Sequence, residues 1–153
     1  MCINYIIILV EGVIILGDII VSIFVKKGIL SILIIEGGKL KERHVERIKD
    51  ENILSSMYSS LIFGFTKALR ITRNYLEKNN CSKVVFEVSN SVFSKWLMNR
   101  YSKEAYQKEF MELLEIMEAI PMQYSVVVNP KPQASLYAEE RYLTDKLKLE
   151  GLF

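Results

Sequence analysis

The chain has 153 residues, half of them hydrophobic and a quarter charged, with a formal net charge of +2. This is the size and composition of one domain with a real core, and it excludes a disordered or low-complexity chain. The charge neither argues for a nucleic-acid partner nor against one, and two distant cysteines, Cys2 and Cys81, with a single histidine, His44, weigh against a zinc centre or a disulfide framework.

Reduced thiols in a cytoplasmic protein are the plain reading. His44 sits in the charged stretch Lys41–Arg47 and reads as a solvated surface residue, not a catalytic base. From Tyr5 to Val25 the chain is apolar over about the length that spans a bilayer. A membrane helix there would have to carry Glu11 and Asp18. An acidic side chain near the bilayer centre costs about 2.5–3.5 kcal/mol. The Ile and Val content favours strands, so the expectation is buried β-structure and no membrane partner.

In chain order, Asn4–Val10 is continuously apolar, which suits a strand covered on both faces. Glu11-Gly12 interrupts it. A second apolar stretch, Ile19–Val25, stops at Lys26-Lys27-Gly28, and a third, Ile29–Ile35, stops at Glu36-Gly37-Gly38. The Lys-Lys-Gly break fits a hairpin turn. Residues 39–50 are polar and read as a linker or a frayed strand end.

Asp50 is the expected N-cap of a helix reaching Lys78. Leu54, Tyr58, Leu61, Phe65 and Ala68 share one face of it. Gly64 lies mid-helix, where Gly costs about 1 kcal/mol relative to Ala; a close approach to a sheet would explain it. Val84–Val88 is a buried strand. Ser89-Asn90-Ser91 caps a short helix, Val92–Asn99, which holds the only tryptophan, Trp96. Ser102 is a candidate cap for an amphipathic helix through Tyr106, Phe110, Leu113, Leu114, Met117 and Ile120, ended by Pro121. Tyr124–Val128 is a fifth strand, and a last helix runs over Ala134–Leu149.

The order is β-β-β-α-β-α-α-β-α, without repeats or an internal boundary, so residues 1–153 read as a single α/β domain. Hairpin strands pair antiparallel and crossover strands parallel. The expected product is a mixed five-stranded sheet with helices on both faces, with Tyr5–Val10 central beside Val84–Val88.

That order resembles the ribonuclease H family. Glu11-Gly12 stands where the family's first strand ends in Asp-Gly. Phe86 to Trp96 looks like its fourth strand with the following Thr-Asp-Ser and Trp, and Ala138-Glu139 is similar to the Ala-Asp that opens its last helix. The amphipathic helix from Lys103 to Ile120 looks like the reverse-transcriptase-like branch. The resemblance implies hydrolysis of the RNA strand of an RNA–DNA hybrid by two Mg²⁺ ions held on four acidic positions. Carried over, those positions fall on Glu11, Tyr58, Asn90 and Glu139. Two carboxylates of four remain, so the implied site is degenerate. Glu11 and Glu139 would bind Mg²⁺ or Mn²⁺ weakly at most, and no cofactor is expected.

Each position also has an ordinary reading. Tyr58 can be core, Asn90 a helix cap and Glu139 a solvated residue. Glu87 could act as a relocated acid, but strand alternation points it away from the face of position 90. Three functions follow. The first is a non-catalytic ribonuclease H-like domain that binds nucleic acid, an RNA–DNA hybrid or duplex, or scaffolds a nucleoprotein complex. Lys39, Lys41 and Arg43, with Lys26, Lys27 and Arg47, would contact phosphate, although Glu42 and Glu46 interleave with them. The second is a protein-binding adaptor using Tyr137 and Tyr142 of the last helix. The third is a weak metal-dependent ribonuclease H.

Overall fold

The structure is a computed structural model that describes residues 5–9, 12–16, 18–79 and 83–151. Its main body is a five-stranded sheet of β3 (Ile19–Lys26), β4 (Ile29–Glu36), β5 (Lys39–Arg47), β6 (Lys83–Val88) and β7 (Gln123–Val128), in the order β5-β4-β3-β6-β7. The β3–β4 and β4–β5 pairs are antiparallel, and β3–β6 and β6–β7 are parallel. The mixed sheet and the order of its elements are as expected. Two strand assignments differ.

The strand in the centre, beside β6, is Ile19–Lys26 and not Tyr5–Val10. Tyr5–Leu9 (β1) pairs antiparallel with Gly12–Leu16 (β2) in a separate two-stranded ribbon. The third strand of the main sheet is Lys39–Arg47, where a linker or a frayed strand end was expected. It pairs with β4 from Ile29↔Arg47 to Glu36↔Lys39, with a register shift between Ile34 and Ile35. Its charged composition suits an edge, where one side of the strand meets water and charge discourages pairing with another chain. Asp18, buried at the head of β3, lies 3.7 Å from Lys83 Nζ at the head of β6.

The residues of β3 alternate between two layers. Ile19, Val21 and Ile23 join the large core formed with α2 (Met57–Lys78), α3 (Ser91–Asn99) and α4 (Gln107–Ala119). Ile20 and Phe24 face α5 (Ala134–Leu149), with Leu33, Ile35 and Ala134. Gly64 has the expected reason: a Cβ there would sit 2.8 Å from Leu30 Cδ1 and 3.0 Å from Val25 Cγ2, so α2 lies directly on the sheet.

Two helix starts differ from expectation. Asp50 caps only the short α1 (Glu51–Leu54), through Asn52 N–H at 2.9 Å. Ser56, in extended backbone, then caps α2 through Tyr58 N–H at 3.2 Å. Ser102 caps nothing. Its hydroxyl donates to the Lys103 carbonyl, and a 3₁₀ turn, Glu104–Tyr106, leads into α4. Among the described residues no helix is long and apolar enough to cross a membrane.

Candidate functional site

The parallel strands β3 and β6 run side by side, and their C-terminal ends meet the start of α2, the start of α3 and the first half of α5. Asn90 is the N-cap of α3. Its Oδ1 accepts from Phe93 N–H at 2.8 Å, which is the role Asn plays best at a helix start. Its Nδ2 lies 3.9 Å from Met57 Sδ, so position 90 stands beside the first turn of α2. Tyr58 follows Met57. Its ring is half-buried and stacks on Trp96, with centroids 4.6 Å apart and planes at 29°. Tyr106 lies 5.7 Å away and Lys103 Nζ is 5.7 Å from the Tyr58 ring. Both residues therefore fill the structural roles that their positions allow.

Glu139 is exposed on α5. It lines a hollow of about 290 Å³ with Phe24, Lys26, Lys27, Ala138, Tyr142 and Leu143. Lys26 and Lys27 are exposed, and Lys27 Nζ lies 4.4 Å from the centroid of the Tyr142 ring. Glu11 lies outside the described residues. The strand in the central position, Ile19–Lys26, contains no carboxylate, and α2 contains none before Glu77.

Glu87 is buried and faces α5, away from Asn90, as alternation requires. Its Oε1 accepts from Ser22 Oγ at 2.7 Å and from Gln133 N–H at 2.9 Å, and its Oε2 accepts from Asn129 Nδ2 at 3.3 Å. Ser22 Oγ in turn accepts from Ala134 N–H at 2.9 Å. A buried carboxylate needs such partners. Here it receives the backbone at the start of α5, where the helix dipole also favours negative charge. This group joins α5 to the sheet and sits under it, not in an open cleft.

The basic residues of β5 do not share one face. Arg43 packs with its guanidinium carbon 5.1 Å from the centroid of Tyr137 on the α5 side. Lys39 pairs with Glu36, whose Oε1 accepts from Tyr75 on α2, and so belongs to the other side. Lys41 lies at the register shift. Tyr137 and Tyr142, the aromatics that a protein-binding adaptor would need to expose, are half-buried, Tyr137 beside Arg43 and Tyr142 beside Lys27. His44 is at the surface, 2.9 Å from Glu42.

Mg²⁺ needs clustered oxygen ligands, mostly carboxylate. Among the described residues no group of three or more His, Cys, Asp or Glu could hold a metal ion. The hollow at Glu139 adds two ammonium groups instead. The described donor set does not fit a two-metal centre. Sequence reasoning missed the gathering of Lys26, Lys27 and Glu139. The Lys-Lys pair was legible as a turn signal and as part of a wider set of candidate phosphate contacts, and the fold was needed to bring α5 beside it.

A mixed sheet in the order β5-β4-β3-β6-β7, with α5 on one face and the other long helices on the opposite one, is the ribonuclease H fold. The comparisons with solved structures agree. The RNase H1 from the halophilic archaeon Halobacterium salinarum superposes with a TM-score of 0.57 at 9% identity, covering 84% of this chain and 99% of that one. LC11-RNase H1, isolated from compost by a metagenomic approach, gives 0.56 at 14%, covering 80% and 91%. The same enzyme in complex with an RNA/DNA hybrid gives 0.56 at 15%, covering 80% and 92%. At these identities the likeness establishes the fold. No protein-family model matches the chain, and no curated protein matches it in sequence.

Proposed function

We propose that this chain is a ribonuclease H-fold domain that binds nucleic acid, or holds a nucleoprotein complex together, without cleaving it. One observation carries the reading: the charge around the C-terminal end of the central strand has changed sign. The family resemblance implies clustered carboxylates there. This chain ends its central strand in Lys26-Lys27, beside a hollow in which Glu139 is the single carboxylate among the described residues. Tyr58 is committed to Trp96, and Asn90 to capping α3. Ammonium groups repel a divalent cation and attract phosphate, and phosphate contacts supply most non-specific affinity for a duplex. LC11-RNase H1, the neighbour solved with an RNA/DNA hybrid, suggests a hybrid as the first ligand to try. Lys39, Lys41 and Arg43, which the edge strand divides between its two sides, would add at most separate secondary contacts.

The test uses the full chain and a labelled RNA–DNA hybrid. Binding at low salt is expected, falling steeply as salt rises because neutralised phosphates release counterions. Lys26→Glu with Lys27→Glu should weaken it about tenfold at low salt and flatten the salt dependence. Reversing Lys39, Lys41 and Arg43 should have a smaller effect. Incubation with Mg²⁺ and then Mn²⁺ should leave the RNA strand intact. Cleavage that disappears in Glu139→Gln would instead make the chain a metal-dependent nuclease. No binding at low salt would remove the nucleic-acid reading and leave a protein-binding module.

A further inference from the structure

The last helix is amphipathic in an unusual sense: it carries apolar residues on its outward side as well. At 3.6 residues per turn, Ala134, Ala138, Arg141 and Asp145 share one face. Ala134 and Ala138 are fully buried against the sheet, and Asp145 bonds to Arg47 of β5. Directly opposite stand Leu136, Leu143 and the half-buried Leu147, at i, i+7 and i+11. Leu136 is 69% exposed and Leu143 is 56% exposed. Scattered exposed leucines need no explanation, but a row at this spacing is the seam of a helix pair.

We propose that this face pairs with the same face of a second copy of the chain, as two antiparallel helices related by a two-fold axis at Leu143. The charges beside the seam select this occupant and this direction. Glu139 precedes Leu143 by four residues and Lys146 follows it by three, and both lie on the same flank. A two-fold axis at Leu143 reverses the second helix and preserves the flank. Glu139 then meets Lys146 of the second copy, and symmetry repeats the pair. A parallel arrangement would set Glu139 against Glu140 of the second copy, like against like. Such a self-complementary patch is what a two-fold dimer requires. Nucleic acid is a poor occupant of the leucine row itself, because leucines offer phosphate nothing; Glu139 and Leu143 border the hollow beside Lys26 and Lys27, so a second copy here and a duplex there would compete. One helix of sixteen residues makes a small interface, so the dimer forms in the micromolar range and not below it.

This inference does not rest on nucleic-acid binding, and its test contains no nucleic acid. Sedimentation velocity of the full chain across the micromolar range should show the mass rising from 17.7 kDa towards twice that value. Leu136→Ser with Leu143→Asp should hold the chain as a monomer whose unfolding midpoint is close to that of the wild type at concentrations too low for association, because both side chains are mainly exposed. Glu139→Lys alone should weaken association about tenfold, since it replaces two ion pairs by two repulsive ones. Adding Lys146→Glu to Glu139→Lys should restore it. A wild-type monomer at every concentration overturns the proposal, and so does a dimer that survives Leu143→Asp. Failure of the charge swap to restore association overturns the antiparallel pairing.

Discussion

Asp145 ties the last helix to the edge of the sheet. Arg47 Nη2 of β5 donates to its Oδ2 at 2.8 Å, and Arg141, one turn back, donates from Nε at 3.1 and 3.2 Å. The hydrogen bond from Arg47 is the main reason that its carboxyl titrates below the ordinary value. Partial desolvation opposes the shift, and the bond and charge of Arg141 add to it. A carboxyl whose pKa is lower in the folded than in the unfolded chain stabilises the fold fully above the unfolded value, about 3.9. That stabilisation is lost as pH falls through the folded value. Asp145→Asn should therefore have a lower urea midpoint than wild type at pH 7, and the two should converge as pH drops below about 4. A gap that persists unchanged into acid would mean that the carboxylate charge is not what holds the contact. Tyr58 and Asn90 teach the complementary lesson: both are fully accounted for by packing and capping, so their neutrality needs no catalytic explanation.

Among the elements, α2 carries the sharpest steric constraint. Gly64→Ala would gain about 1 kcal/mol of helix propensity. It would also drive a methyl group into Leu30, which is buried in the core, and Val25. Overpacking of this kind costs about 1–3 kcal/mol, so a net loss of about 1 kcal/mol is expected in chemical denaturation, and more for Gly64→Val. An alanine variant more stable than wild type would show that the helix can lift without cost. This contact was legible beforehand because a glycine in a strong helical pattern demands a reason. The helix and strand order was legible for the same kind of reason, from periodicity and breaks. Lys39–Arg47 was not: an edge strand has one neighbour, its residues are charged, and only pairing with β4 makes it a strand. Nor could local pattern decide which apolar run becomes the centre. Tyr5–Val10 is continuously apolar and Ile19–Val25 is broken by Ser22, yet the broken run takes the centre, because the choice rests on long-range pairing with β6. The start of α2 at Ser56 was not legible, because Asp50 followed by Glu51 carries the stronger cap pattern. At the site, the cap at Asn90 could be read from Ser-Asn-Ser. The hollow shared by Lys26, Lys27 and Glu139 could not, because it joins residues more than a hundred positions apart.

Taken as a whole, the molecule is built unevenly about its sheet. One face carries α2, α3 and α4 over a large core with the Phe65, Phe86, Phe93 and Trp96 rings at its centre. The other carries, among the described residues, α5 over Leu33 and Ile35, with Ala134 of the helix and half-buried Ile20, Phe24 and Tyr137. Polar anchors make up part of the difference: Glu87 and Ser22 at the start of the helix, Arg47 near its end. Apolar burial scales with area, whereas hydrogen bonds add modestly and water can replace them. The unevenness has a kinetic meaning. Helix α5 should come away from the sheet in a partial opening that leaves β3, β4 and β6 intact, so its amides should exchange with deuterium at a lower opening free energy than those of the central strands. Glu87→Gln, which removes the charge that receives Gln133, should speed exchange throughout α5 and leave the strand cores as slow as before. Equal protection in the helix and the strands would mean that the thin layer is as firmly seated as the thick one.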